Sequence, residues 1–165
     1  MKAPICAVCL NSDILCVACE KKFREGKISE SDVKISKIIN ELAKNFKSLE
    51  EVTIKKIVEV DDMGVIICKK GDASKIIGKG GIIIKKISKE AKKNFKVIEE
   101  SENVKDFIKN LLQPIPVIRI NVLYKPEGEV LKVIIPKGFN PPFKNETFAK
   151  LTKILFDKSS LIVKE

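Results

Sequence analysis

Residues 76–87 interrupt an aliphatic segment with a glycine-rich turn and read Ile76-Ile77-Gly78-Lys79-Gly80-Gly81-Ile82-Ile83-Ile84-Lys85-Lys86-Ile87. A nucleotide-binding P-loop would have four residues between its first glycine and a Gly-Lys pair, followed by Ser or Thr. Here six residues separate Gly71 from Gly78, and Gly80 follows Lys79. A Rossmann fingerprint is excluded too, because the glycine spacing differs and no strand directly precedes the turn. The segment instead fits a G-x-x-G turn between two helices, where missing side chains let a sugar-phosphate backbone come close.

The periodicity of the residues around this turn predicts a mixed unit of helices and strands. We expect a helix at about 30–47, strands at 52–60 and 65–68 joined by a turn at 61–64, a short helix at 72–77, a longer helix at 82–95 and a strand at 96–99. On the longer helix, the core face is expected to carry Ile84, Ile87, Ala91 and Phe95. The opposite face then carries Lys85, Lys86, Lys89, Lys92 and Lys93.

The rest of the chain repeats this order of elements. A helix is expected at about 103–112, strands at 117–124 and 130–135 around a turn at 126–128, a helix at 146–157 and a last strand at 161–163. The second strand of each hairpin contains Val-Ile-Ile. The pattern predicts tandem small domains, of which the second lacks the glycine turn and most of the short helix. The alternative is an unrelated α+β tail.

Four of the five cysteines form two pairs near the start of the chain, Cys6-x2-Cys9 and Cys16-x2-Cys19. Each pair places two thiolates on one tight turn, and four thiolates around one ion are typical of structural Zn²⁺. Because this segment is too short to bury a core of its own, metal binding would contribute most of its folding free energy. An iron centre with the same ligands and a dithiol redox pair are the alternatives. Cys68 is expected to be a small buried residue.

Composition narrows the classes of function. The chain has 165 residues and no histidine, which excludes Ser-His-Asp and Cys-His catalysis and histidine metal ligands. Its formal charge is +10, and 30 of its 32 basic residues are lysine, so a polyanion is the expected partner. Residues 69–96 hold ten lysines and two acidic residues, which concentrates a charge of +8 around the glycine turn. Membrane binding is less favoured than nucleic acid, because the core needs the apolar residues of the lysine-rich helix.

Targeting and membrane signals are missing from the sequence. No stretch approaches the roughly 18 apolar residues of a membrane span. The start of the chain has no apolar signal region before its cysteines. We therefore expect a cytoplasmic protein, in which cysteines act as metal ligands or core residues rather than in disulfides.

Over about residues 29–100 the sequence resembles the KH family of RNA-binding domains. The resemblance rests on the turn Gly78-Lys79-Gly80-Gly81, with Ile77 before it and Ile84 after it at the usual aliphatic positions. The helix and hairpin ahead of the turn point to the type II arrangement, which is found in bacterial and archaeal NusA transcription factors and in a small-subunit ribosomal protein. With its tandem units the chain is similar to the archaeal NusA-like group. Its second unit departs from the pattern by lacking G-x-x-G, and its N-terminal cysteines are an addition.

The cysteine spacing and the resemblance together imply an α+β fold with three parts. These are a four-cysteine zinc module at residues 1–28 (the cysteine module), a type II KH domain at 29–102 and a degenerate KH-like unit at 103–165. The resemblance also implies a non-enzymatic protein that binds single-stranded RNA in transcription elongation or termination, or in RNA processing, without a small-molecule substrate or a membrane partner.

Specific residues follow from the resemblance and from the cysteine spacing. The RNA-binding residues implied are Ser74, Lys75, Gly78, Lys79, Gly80, Gly81, Lys85 and Lys86, with Ile76, Ile82 and Ile98 as the apolar floor of a groove. The predicted ligands of a structural Zn²⁺ are Cys6, Cys9, Cys16 and Cys19. The alternative function is an interaction protein that docks on RNA polymerase or the ribosome through the cysteine module and the degenerate unit. A thiol redox enzyme is a third hypothesis.

Overall fold

Two three-stranded sheets, one in each part of the chain, organise the fold. The computed structural model describes all residues, 1–165. It is mixed α+β, which confirms the predicted class, and it divides into two units, Met1–Glu100 and Ser101–Glu165. None of its helices has the length and apolarity needed to cross a membrane. The division of residues 1–102 into a cysteine module and a KH domain stays a prediction.

The first unit contains the predicted glycine turn. Its elements are α1 (Ala7–Leu10), α2 (Val17–Arg24), α3 (Glu30–Ala43), β1 (Ile54–Val60), β2 (Met63–Cys68), α4 (Ala73–Ile77), α5 (Ile82–Ala91) and β3 (Asn94–Glu99). Strand β2 lies between the other two, antiparallel to β1 and parallel to β3. Single 3₁₀ turns occupy Lys47–Leu49 and Lys79–Gly81.

The core of the first unit is aliphatic. Helix α3 contributes Ile35 and Ile39, the sheet contributes Ile57 and Ile66, and α5 contributes Ile87. A capping box starts α3: the Ser29 side chain accepts the N–H of Asp32, and the Asp32 carboxylate accepts the N–H of Ser29 at 2.8 Å. The same buried carboxylate accepts the N–H of Ile57 at 2.7 Å. Asp32 therefore fixes the start of α3 to strand β1.

The second unit repeats the topology of the first sheet. Its elements are α6 (Val104–Leu112), β4 (Arg119–Lys125), β5 (Gly128–Ile135), α7 (Asn145–Phe156) and β6 (Ser159–Lys164). Strand β5 lies between an antiparallel β4 and a parallel β6. As the sequence predicts, no short helix separates β5 from α7. Inside this unit Phe107 packs edge-on against Phe156, with ring centroids 5.1 Å apart.

The structure corrects the predicted course of two helices. The helix expected at 82–95 ends at Ala91, because Lys92 adopts a left-handed conformation with φ of 55° and the chain turns into β3. Phe95 is therefore a core residue of a strand rather than of the helix. On α5 it is Ile83 that is buried, while Ile84 is only half-buried. The helix expected at 30–47 ends at Ala43.

Gly64 of β2 lies against the ring of Phe95 in β3. The two residues are paired in the parallel register, and a Cβ atom at Gly64 would clash with the Phe95 ring. We expect Gly64→Ala to lower the free energy of unfolding by about 1–3 kcal/mol, because the ring must shift within a packed core. Urea unfolding followed by circular dichroism measures the change. Adding Phe95→Leu should recover part of it, and wild-type stability of Gly64→Ala alone would contradict the packing.

Candidate metal centre and nucleic-acid interface

The four N-terminal cysteines form one cluster. Their Sγ atoms all lie within 4.8 Å of one another. Cys6 Sγ is 3.4 Å from Cys9 Sγ and 3.8 Å from Cys16 Sγ, and all four cysteines are free thiols. Four thiolates at a metal–sulfur distance of about 2.3 Å in a tetrahedron would be about 3.8 Å apart. The cluster predicted from the spacing is thus assembled, and it could hold a metal ion.

Backbone N–H groups link the two cysteine pairs reciprocally. The N–H of Cys16 donates to Cys9 Sγ at 3.1 Å, and the N–H of Cys6 donates to Cys19 Sγ at 3.5 Å. Cys6 and Cys16 precede α1 and α2 with almost the same backbone angles. The two pairs thus share the same local backbone arrangement.

The same arrangement favours thiolates on one member of each pair. The backbone N–H of Cys9 lowers the pKa of Cys6 to about 6, and the N–H of Cys19 lowers the pKa of Cys16. Despite the hydrogen bond from Cys16 N–H, burial and the neighbouring Cys6 sulfur raise the pKa of Cys9 to about 12. A cation bound by all four sulfurs would displace the remaining protons, so its affinity should fall as the pH falls.

The cysteine module packs against the rest of the first unit. Ile5, Leu10 and Ile28 are buried around Cys9 and Cys19, and Val33 of α3 packs on this cluster. Asn40 of α3 donates to the carbonyl of Leu10 and to Oδ1 of Asn11. Lys2 pairs with Thr53, next to strand β1. Loss of a bound metal would therefore disturb α3 as well as the module.

Replacing one cysteine of the cluster should abolish tight metal binding. We expect wild-type protein to retain one ion per chain after dialysis, and Cys16→Ser to lose more affinity than the roughly 10- to 100-fold cost of removing a supporting contact. Elemental analysis counts and identifies the ion, and a titration to low pH should release it. Cys68→Ala is the matched control, because Cys68 is buried in β2 outside the cluster. Equal retention by both variants would contradict a four-sulfur site.

The glycine turn lies between α4 and α5, as predicted. Helix α4 ends at Ile77, and α5 begins at Ile82. Three glycines between them, Gly78, Gly80 and Gly81, have positive φ values of 76°, 63° and 75°. L-residues with a side chain rarely adopt such angles, which explains why three of the four residues are glycine.

The glycines of the turn meet different surroundings. A Cβ at Gly78 would lie 2.7 Å from Cγ1 of Ile83, so this position is closed by the core of the unit. A Cβ at Gly80 would have no atom within 4 Å, and Gly80 is exposed. The backbone at Gly80 is therefore accessible to another molecule.

These surroundings predict different effects of alanine at the two positions. Gly78→Ala combines a positive φ with a steric clash, whereas Gly80→Ala carries only the backbone cost of about 1–2 kcal/mol. We expect the Gly78 variant to be the less stable of the two by thermal or urea unfolding. Equal stabilities would show that Ile83 does not close the site at Gly78.

Lysines with exposed side chains surround the turn. Lys79, Lys85, Lys86, Lys89 and Lys92 are all exposed, and no ion pair involves them. The Lys86 ammonium lies 5.8 Å from the centre of the Phe46 ring, a cation–π distance. Since none of these charges is neutralised by a carboxylate, they are available to an anionic ligand.

Two other predicted contact residues lie on α4. Ser74 is exposed, whereas Lys75 is half-buried, with its Nζ 3.3 Å from Asp72 Oδ1 and 4.0 Å from Glu51 Oε2. The hydrogen bond from the N–H of Thr53, and then the Lys75 ammonium, hold the pKa of Asp72 below its usual value. The Asp72 side chain accepts that N–H at 2.9 Å, and so it ties the start of α4 to the residue before β1. This role of Asp72 was not predicted, since its only signal in the sequence is its place just before a short helix.

The predicted apolar floor of the groove is mostly wrong. Ile76 and Ile98 are 0% and 2% exposed. Both side chains therefore belong to the core and cannot line a groove. Ile82, in contrast, is 48% exposed at the start of α5. Of the three, only Ile82 can offer an apolar surface beside the glycine turn.

Comparisons with known proteins inform the fold. No protein-family model matches the sequence, and no curated protein matches it. A solved structure described as "Crystal structure of APE1850" is similar, with a TM-score of 0.55 and 21% sequence identity. The match covers 76% of this chain and 96% of that chain. This similarity shows that the fold exists in another protein. The description of that structure names no activity or ligand.

Proposed function

We propose that the chain binds single-stranded RNA at the glycine turn between α4 and α5 and catalyses no reaction. The observation that carries the proposal is the accessible backbone at Gly80 beside exposed lysines that form no ion pairs. A glycine turn lets a sugar-phosphate backbone lie close to the protein, and the lysines neutralise its phosphates. Lys79, Lys85 and Lys86 are the phosphate contacts in this proposal.

Single-stranded RNA fits this surface better than a duplex. A single strand can follow a narrow turn and place its bases on an apolar side chain, whereas a duplex is recognised over a wide groove. Ile82 supplies exposed apolar surface at the turn.

We also propose that the first unit is a type II KH domain similar to the archaeal NusA-like group. The order of helix, hairpin, glycine turn and parallel strand supports this assignment. It favours a role in transcription or RNA processing in the cytoplasm.

We propose zinc as the ion of the cysteine cluster. Four thiolates closed around one ion leave no position for a substrate, and this is the arrangement of structural Zn²⁺. The separations of 3.4 and 3.8 Å between sulfur atoms are close to the roughly 3.8 Å expected for four sulfurs around a tetrahedral Zn²⁺ ion. Its role is to stabilise the fold of the cysteine module.

Protein docking is a second candidate function, favoured by a different observation. Val8, Ile14 and Val17 are 70%, 77% and 86% exposed within the cysteine module. A contiguous exposed apolar patch marks a protein-contact surface, and three exposed aliphatic side chains within ten residues support such a patch here. RNA polymerase and the ribosome are the partners that this alternative predicts.

The double variant Lys79→Asp, Gly80→Asp tests RNA binding at the turn. Aspartate tolerates left-handed angles better than most residues, and the space at Gly80 is free, so the fold should persist. The two carboxylates would repel phosphates and block the accessible backbone. We expect the affinity for a labelled unstructured RNA, measured by fluorescence anisotropy, to fall about tenfold or more. The slope of log affinity against log salt should also become less steep by about 0.7, the contribution of one phosphate contact.

A matched control is provided by Gly26→Asp, Lys27→Asp. Gly26 also has a positive φ, 71°, a Cβ placed there would have no atom within 4 Å, and Lys27 is exposed. The charge change is therefore the same. The exposed ion pair between Lys27 and Glu25 contributes little stability. If the two double variants lose affinity equally, the loss is due to the change in net charge alone. If neither variant loses affinity, the RNA does not bind at the glycine turn.

A further inference from the structure

The second unit has its own connection at the position that holds the glycine turn in the first. Residues 136–144 join β5 to α7, as residues 69–81 join β2 to α5, and both connections lead to a parallel strand. The second connection reads Pro136-Lys137-Gly138-Phe139-Asn140-Pro141-Pro142-Phe143-Lys144, with two lysines and no acidic residue. It lacks G-x-x-G, and its single glycine is Gly138.

Both ends of this connection are fixed. The N–H of Lys137 donates to a backbone oxygen of Glu165 at 3.0 Å, which ties the start to the residue after β6. At the other end Phe143 is buried and stacks on Phe148 of α7, with ring centroids 6.0 Å apart. Between them Gly138 has a φ of 92°, and the next residue, Phe139, is 42% exposed. The Phe139 ring is thus presented on a short segment with little freedom at its ends.

Exposed aromatic rings are rare in this chain. Only Phe23, Tyr124 and Phe139 have large exposed fractions among its nine aromatic residues. The basic neighbours of Phe23 on α2 include Lys22, which forms no ion pair, but Lys21 and Arg24 pair with Glu25 and Glu20. Tyr124 lies directly opposite Glu129 in the sheet.

Phe139 differs from both of these residues because no acidic residue lies between positions 130 and 145, whereas Phe23 has Glu20 and Glu25 nearby and Tyr124 has Glu127 and Glu129. Lys137 and Lys144 are exposed and form no ion pair. The nearest acidic residues along the chain are Glu129 and Glu146, and Glu129 is already paired with Lys158. Glu165, whose backbone the N–H of Lys137 contacts, has its side chain paired with Arg119. An exposed ring between unpaired cations is the combination that holds a base and its neighbouring phosphates.

We propose that residues 136–144 form a second site for single-stranded RNA, in which Phe139 stacks on a base and Lys137 and Lys144 contact phosphates. The inference rests on the proposed function, because it assigns this site the same class of ligand. It differs in mechanism because this connection offers an exposed aromatic ring, which the glycine turn lacks.

The test uses the full chain and a labelled unstructured RNA, with affinity measured by anisotropy. We expect Phe139→Ala to weaken binding about tenfold, the usual consequence of losing one stacked base. Phe139→Tyr should restore wild-type affinity, because the tyrosine ring also stacks. Tyr124→Ala is the control, since it removes another exposed ring of the same unit and should leave the affinity unchanged. Ultraviolet crosslinking followed by mass spectrometry should attach RNA to Phe139.

The same series separates this inference from the proposed function. Wild-type affinity of Phe139→Ala, without a crosslink in residues 136–144, would overturn the second site, while the Lys79→Asp, Gly80→Asp variant still decides the first. If only Phe139→Ala weakens binding, the second site stands and the role of the glycine turn is wrong. If the two changes weaken binding independently and Phe139→Tyr rescues, both sites are supported.

Discussion

The parallel pairing of β2 with β3 is the constraint on which the first unit depends. Met63 to Cys68 pair in register with Asn94 to Glu99. Parallel neighbours cannot be joined by a tight turn, so the chain must cross over from the end of one strand to the start of the next. Helices α4 and α5 form this crossover, and the glycine turn is where it changes direction. The candidate interface is therefore part of an obligatory connection, and β5 and β6 impose the same kind of connection on the second unit.

The crossover also explains where the positive charge lies. Helix α5 buries Ile83, Ile87 and Ala91 on one side, so the exposed positions on its other side can be lysine without cost to the core. Residues 69–96 carry +8, whereas the rest of the first unit has 11 basic and 13 acidic residues and a charge of −2. A weakly negative unit with one strongly positive connection directs an anionic ligand to that connection.

Periodicity and turn chemistry were enough to predict the order of the main helices and strands of both units, because each hairpin has β-branched strands and each helix an aliphatic stripe. The errors lie at the ends of these elements, and α1 and α2 of the cysteine module were not predicted. Lys92 and Ala43 end their helices without glycine or proline, so no local signal marks the boundary. Ile76 and Ile98 were misassigned for a related reason: an aliphatic residue beside a turn has the same sequence signature whether it lines a groove or fills the core. Tertiary packing alone distinguishes the two.

The candidate sites also combine features that the local sequence predicts with features that only the tertiary structure decides. Cysteine spacing was sufficient to predict which four sulfurs meet, because each pair is local and only one long-range approach is needed. The reciprocal N–H donors to those sulfurs depend on backbone angles and carry no sequence signal. Among the lysines, the composition of residues 69–96 predicts a positive surface, yet Lys75 and Lys93 are paired with Asp72 and Glu59. Glu59 is far from Lys93 in sequence and adjacent to it only in the folded unit. A motif thus identifies the residues of a site, whereas the available charge is decided by partners that the fold brings to it.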